Sequence, residues 1–156
     1  MTPDEVAPLA DRIGNDVVRL QRVRDRIVAH AKATDGIDPA VYGCLFRLIH
    51  DGPMRSSGLA ESMYTDPSTV SRQVTQLVDR GLVERKPDPT DGRASVLAVT
   101  EGGREVAARI RALRNEKLTH LLADWPVADL REFTRLLDRF VEDYERMRPV
   151  LAKDAR

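Results

Sequence analysis

Only one stretch of this 156-residue chain departs from a helical period. Leu82-Val83-Glu84-Arg85-Lys86 and Ser95-Val96-Leu97-Ala98-Val99 are short runs rich in β-branched residues, joined by the turn-forming segment Pro87-Asp88-Pro89-Thr90-Asp91-Gly92-Arg93-Ala94. The pattern predicts a two-stranded hairpin with a polar tip. One hairpin set among helical segments makes the fold class mainly α, and the segments on either side of it decide which α fold is meant.

From Asp4 to Lys32 the apolar residues Val6, Leu9, Ile13, Val17, Leu20, Val23 and Ile27 recur three or four positions apart, with Arg and Asp on the other face. This spacing predicts one long amphipathic helix. At 1.5 Å per residue it would run roughly 43 Å, more than the rest of so small a chain easily covers, so its apolar stripe calls for a second subunit. Thr34 to Pro39 reads as a turn, and Val41, Leu45, Leu48 and Ile49 as a second helix stopped by Asp51-Gly52-Pro53. A short helix follows between Met54 and Asp66, with Ser56 or Ser57 expected to accept from its first amides. Asp66-Pro67 then restarts the chain. The aspartate suits an N-cap and the proline suits the first helical position, where its missing N–H would have had no partner.

Between Ser68 and Arg80 the residues Val70, Val74, Leu77 and Val78 form one stripe, while Ser68, Thr69, Arg72, Thr75, Gln76 and Asp79 project to the other side. Gly81 supplies the stop. After the hairpin, Thr100 can cap a fifth helix whose buried side carries Val106, Ile110, Leu113, Leu118, Leu121 and Leu122 until Trp125-Pro126 interrupts it. In a sixth, Leu130, Phe133, Leu137, Phe140, Tyr144 and Met147 alternate spacings of three and four, a seam suited to packing on another helix.

Hydrophobic residues at 42% and charged residues at 32% fit a chain that folds, and its length fits one domain. Twenty-five basic and 25 acidic residues cancel, so no global field announces an anionic partner, and any such partner must be met locally. Cys44 is the one cysteine, which excludes an intramolecular disulfide and a multi-cysteine zinc site and suits a reducing cytoplasm. Its neighbours Val41, Leu45 and Leu48 suggest a thiol that simply packs. His30, His50 and His120 lack metal-ligand spacing, so no metal site is expected. There is no glycine-rich phosphate loop, nucleophile elbow or paired histidine and nucleophile, so neither enzymatic activity nor a cofactor is expected. No basic residue precedes an apolar run in Met1 to Asp11, and no apolar stretch is long enough to anchor the chain in a membrane.

Short helix, turn, polar-faced helix, then a hairpin with a charged tip is the order of a winged helix-turn-helix. A recognition helix needs one apolar side to fix it on its scaffold, and short polar or Arg side chains on the other to reach major-groove edges, where Arg can bond guanine twice. Ser68, Thr69, Arg72 and Gln76 meet that demand, and Arg93 at the hairpin tip suits the narrow, electronegative minor groove. Ser56, at the start of the short helix, joins the residues expected at DNA.

The run LAESMYTDPSTVSRQVTQLVDRGLVERKPDPTDGRASVLAVTEGGRE resembles the MarR family of bacterial transcriptional regulators: its polar recognition helix, its L-V-x-R exit strand and its D-x-x-D-x-R wing. The six-helix envelope is similar over nearly the whole chain. The resemblance implies a single domain over 1–156, with a winged helix-turn-helix lobe at 37–100 and dimerisation helices at 1–35 and 101–156. It implies an intertwined homodimer that sets one recognition helix per subunit into adjacent major grooves of a pseudo-palindromic operator, usually as a repressor. Ser68, Thr69, Arg72, Gln73 and Gln76 become the major-groove candidates and Arg93 the wing arginine. Family members often bind small anionic aromatic ligands in a crevice between the dimer helices and the DNA-binding lobe, where Ser71 and Arg85 are the candidates. Where many members carry lysine before a glycine at the start of the fifth helix, this chain has Glu101-Gly102-Gly103.

A competing reading keeps the fold and changes the partner. Between Pro53 and Thr100 the six basic residues Arg55, Arg72, Arg80, Arg85, Lys86 and Arg93 are balanced by Glu61, Asp66, Asp79, Glu84, Asp88 and Asp91. Neutrality favours a winged-helix protein-interaction module, whereas Arg72 with Arg93 favours DNA.

Overall fold

The computed structural model describes residues 2–35 and 39–154. They form six helices and one strand pair in the order α1 (Pro3–Asp35), α2 (Pro39–Asp51), α3 (Ser56–Met63), α4 (Pro67–Asp79), β1 (Val83–Pro87), β2 (Ser95–Val99), α5 (Glu101–Leu121) and α6 (Val127–Asp154). The architecture is mainly helical, as the sequence pattern predicts. The first helix runs on past Lys32, and residues 36–38 of the turn expected over Thr34 to Pro39 lie outside the described residues. The chain divides into one compact unit of residues 1–109 and another of residues 110–156, and the division falls inside α5.

In the first unit the core forms where α2, α3, α4 and the strands meet. Val41, Cys44, Leu45, Leu59, Val70, Val74, Leu77 and Leu97 are fully buried there, with Leu48 and Val83 nearly so. The α4 stripe read from the sequence is therefore the side that anchors the helix. Both ends of α4 are fixed locally. Asp66 Oδ1 accepts from the amides of Ser68 at 2.8 Å and Thr69 at 3.3 Å, and Pro67 takes the first turn. At the other end Gly81 adopts φ +68°, its amide reaches the Val78 carbonyl and the Leu82 amide reaches that of Leu77, both at 2.9 Å. This 6→1 and 5→2 pair is the Schellman arrangement, and it needs the left-handed residue that glycine supplies without strain.

The start of α3 corrects the sequence expectation. Its N-cap is Arg55, in extended conformation and without a side-chain cap, so Ser56 and Ser57 are the first helical residues instead of cappers. The cause lies just upstream. Met54 forms an isolated antiparallel bridge with Leu97, whose amide donates to the Met54 carbonyl at 2.8 Å, and this extended geometry carries through Arg55. Strand β2 is thus flanked by Met54 on one side and by β1 on the other, in the register Val83 to Val99, Arg85 to Leu97 and Pro87 to Ser95.

The hairpin returns to the helices at a tight corner. The Thr100 hydroxyl donates to the Gly81 carbonyl at 2.6 Å and accepts from the Gly103 amide at 3.0 Å. This confirms Thr100 as the cap of α5. A Cβ at Gly103 would stand 2.1 Å from the Leu82 carbonyl oxygen, so only glycine lets α5 pass this close.

The long helices keep apolar side chains in water. On α1, Leu9, Leu20 and Ile27 are 59%, 69% and 62% exposed. In the second unit Leu113, Leu118 and Leu121, which the spacing put on a buried side of α5, are exposed, and so are Phe133, Leu137, Phe140, Tyr144 and Met147 of the α6 seam. The apolar period is real, but a single chain does not bury it. Within this unit Trp125 meets Phe133 edge to face, with ring centres 5.6 Å apart. Among the described residues no helix is long and apolar enough to cross a membrane.

Candidate nucleic-acid interface

Helix α4 divides cleanly. Val70, Val74 and Leu77 are fully buried, whereas Ser68, Ser71, Arg72, Thr75 and Gln76 are exposed and Thr69 is half-buried. Arg72 Nη2 lies 3.5 Å from Thr69 Oγ1, a weak contact that leaves most of the guanidinium's donors directed outward. Hydrogen bonds from the Ser68 hydroxyl and from the Ser68 and Thr69 amides hold the Asp66 carboxyl below its ordinary value of 3.8. Asp66 therefore already occupies the amide positions at which a helix start would otherwise receive an anion.

Gln73, expected among the major-groove residues, also makes a contact inside the lobe. It is half-buried, and its Oε1 accepts from the Cys44 thiol at 3.1 Å, across the α2–α4 contact. The side chain lies between the buried and exposed faces of α4, and its carbonyl has turned inward because the adjacent thiol is a buried donor. Burial pushes that thiol up to about 11 from 9.0, as suits a packed cysteine.

The hairpin tip is held by two aspartates. Asp88 Oδ1 accepts from the Thr90 amide at 2.9 Å and from its hydroxyl at 2.7 Å, while Asp91 Oδ1 accepts from the Arg93 amide at 3.1 Å. Asp88 is 8% exposed, and its carboxyl is held far below 3.8, first by the Thr90 hydroxyl and amide and then by Arg55. Arg55 reaches in from the α3 start, 2.7 Å from Asp88 and 3.4 Å from Asp91. These turns leave Arg93 exposed, with no ion pair to its guanidinium among the described residues.

The sequence pattern marks Asp88 and Asp91 as part of the D-x-x-D-x-R wing and Arg55 only as part of a neutral charge balance. The structure pairs them with one another and makes Asp66 a cap, whose charge Arg72 stabilises from a distance without a direct ion pair. The two acidic residues three apart in a proline-rich turn were the available signal, but Arg55 lies 33 positions upstream of Asp88 and nothing local announces it. Of the residues expected at DNA, Ser68, Thr69, Arg72 and Gln76 share one side of α4, Arg93 stands on the hairpin tip, and Ser56 is half-buried in the first turn of α3. The suggested ligand residues Ser71 and Arg85 are both exposed, on α4 and β1.

The sequence pattern that defines the MarR family matches residues 37–95. The uncharacterized HTH-type transcriptional regulator YxaD of Bacillus subtilis (strain 168) is 34% identical over 108 residues, spanning 69% of this chain and 76% of its own. Among solved structures, RV1404 from Mycobacterium tuberculosis superposes with a TM-score of 0.73 at 27% identity, covering 86% of this chain and 92% of its own. A MarR family protein from Bacillus stearothermophilus gives 0.72 over 93% of this chain and 99% of its own, and at 21% identity that likeness concerns the fold alone.

Proposed function

The chain belongs to the MarR family, and from that membership we propose that it is a DNA-binding transcriptional regulator acting as a repressor, a homodimer on a pseudo-palindromic operator. The observation that carries this reading is the division of α4, with Val70, Val74 and Leu77 fixed in the core and Ser68, Thr69, Arg72 and Gln76 presented together on the other side. Major-groove reading requires that arrangement, because the scaffold must hold the helix while short polar groups and one arginine meet base edges. Arg93 serves as the minor-groove and backbone contact of the wing, and Ser56 as a phosphate contact at the start of α3. Gln73 drops out of the direct contacts, since its carbonyl is engaged by Cys44.

Dimerisation supplies the cover that the exposed apolar residues of α1, α5 and α6 lack, and residues 1–35 and 101–156 are its proposed source. The setting is cytoplasmic, and the role is binding without catalysis. A small anionic aromatic ligand modulates the affinity for DNA. Selection of bound sequences from random duplexes tests the reading: a recovered inverted repeat supports it. Recovery of unrelated sequences, with equal binding to any duplex, would instead favour the protein-interaction module.

A further inference from the structure

The guanidinium of Arg55 spans both aspartates of the hairpin tip. Its Nε and Nη2 each lie 2.7 Å from Asp88 Oδ2, and Nη2 also reaches Asp91 Oδ2 at 3.4 Å. The other oxygen of each carboxylate works inside the turn. Asp88 Oδ1 takes the Thr90 amide and hydroxyl, and Asp91 Oδ1 takes the amide of Arg93. One bridging carboxylate therefore separates the Arg55 side chain from the backbone of Arg93. Arg55 is itself fixed at both neighbours: its carbonyl accepts from the Leu59 amide at 3.0 Å as α3 begins, and Met54 before it is bonded to Leu97 of β2.

We propose that Arg55 is a positioning residue for DNA binding, which sets the place of Arg93 relative to α4 without touching the duplex itself. The tie runs from the hairpin tip to Arg55, then into α3, and α3 packs on α4. The two elements expected in adjacent grooves are thereby held in register across the lobe, on a path separate from the strands at the base of the hairpin. A forked guanidinium suits this task, because it can hold two carboxylates in fixed directions where a lysine would supply only a point charge. Its Nε and Nη2 are spent on the aspartates, so a phosphate taking those donors would have to displace a carboxylate already in place.

Charge and position make opposite demands on the tip. Asp88 and Asp91 are carboxylates on an element expected beside phosphates, and by charge alone the loss of either should strengthen binding to any duplex. If their work is to carry the placement of Arg93, loss of Asp91 should weaken binding even though a repulsive charge has gone. The inference rests on the reading of this chain as a DNA-binding regulator with Arg93 at the duplex.

The test uses the full chain and two probes of equal length, a duplex carrying the inverted repeat recovered by selection and a random duplex. Affinity is measured over a range of salt for the wild type, Arg55→Gln, Asp91→Ala, Arg93→Ala and the double variant Arg55→Gln/Arg93→Ala, with circular dichroism confirming that each is folded at the temperature used. Arg55→Gln and Asp91→Ala should each bind the inverted repeat about tenfold more weakly, the size of a coupling within one hydrogen-bond network. Both should lower the salt slope as Arg93→Ala does, since all three lose the same wing contact. In the Arg93→Ala background, Arg55→Gln should cost nothing further. Tighter binding by Asp91→Ala, wild-type affinity in Arg55→Gln, or an equal loss from Arg55→Gln with and without Arg93 would each overturn the proposal, the last by giving Arg55 a duplex contact of its own. Wild-type binding by Arg93→Ala would overturn it together with the wing contact while leaving the regulator reading in place. A wild type that binds neither duplex would reject the regulator reading itself.

Discussion

The Arg55 Nε lies 2.7 Å from Asp88 Oδ2, which ties the N-cap residue of α3 to the tip of the hairpin. Asp88 gains from being charged in the folded protein, so its folded pKa lies below its ordinary 3.8. A depressed carboxyl contributes stability above its unfolded pKa and loses it as pH falls through the folded value. Asp88→Asn should accordingly be less stable than the wild type near neutrality, and the difference should shrink in acid. Urea unfolding midpoints from about pH 5 to about pH 2 measure this, and parallel curves for the two proteins would contradict it.

Adjacent glycines should respond with opposite signs. A Cβ at Gly103 would meet the Leu82 carbonyl oxygen at 2.1 Å, whereas one at Gly102 would have nothing nearer than 3.8 Å. Gly103→Ala should lose about 1 to 3 kcal/mol by forcing α5 from the strand corner. Gly102→Ala should be neutral or gain up to about 1 kcal/mol, because alanine is the better helix former. Thermal or denaturant unfolding separates the two, and a stabilised Gly103→Ala would mean that α5 does not make this approach.

Cys44 should be chemically quiet. A thiol raised from 9.0 to about 11 holds about 100-fold less thiolate near neutrality than an unperturbed one. Iodoacetamide labelling of the native protein should be slow and should follow unfolding. Because the thiol's folded pKa is raised, its contribution is intact below about 9 and declines as pH rises through about 11. Rapid native labelling, or release of DNA by mild peroxide that Cys44→Ala abolishes, would make the thiol a sensor.

The two arginines of the interface should fail differently. Arg72→Ala removes a major-groove group and should lower specific binding by about 1 to 3 kcal/mol with little effect on random duplex. Arg93→Ala should weaken both more evenly and reduce the salt slope by about one unit per wing contact. Gln73→Ala should leave sequence preference nearly unchanged, while Gln76→Ala should alter it. Titrations of operator and random duplex over a range of salt distinguish these outcomes; identical curves for all the variants would remove α4 and the wing from recognition.

The exposed seam of α6 makes oligomeric state a direct test. Sedimentation at micromolar concentration should give about 35 kDa, twice the 17.5 kDa chain. Leu137→Asp should lower the mass or unfold the protein, since burying an unpaired carboxylate against a second subunit is strongly unfavourable. A stable wild-type monomer would contradict it.

Much of this fold was legible because it rests on local chemistry. Asp66-Pro67 announces the start of α4, Gly81 its end and Thr100 the cap of α5, and each signal is confined to a few consecutive residues. The polar face of α4 was legible for the same reason, since period alone separates Arg72 and Gln76 from Val70 and Val74. What escaped notice depends on residues far apart in sequence. The Met54–Leu97 bridge displaces the α3 cap, the Arg55–Asp88 pair turns apparent charge balance into a structural tie, and Cys44 draws Gln73 inward. The Tyr64 turn between α3 and α4, at φ +51°, carried no glycine to mark it.

The framing of α4 has a consequence for how such a chain diverges. Its start is fixed by Asp66 and Pro67, its end by Gly81 and Leu82, and its seat by Val70, Val74 and Leu77. Gln76 takes part in none of these, and Arg72 does so only through the attraction of its charge for Asp66. They can be exchanged without disturbing the helix that presents them, so a duplicated copy of this protein could acquire a new target sequence through substitutions at those positions while folding as its parent does.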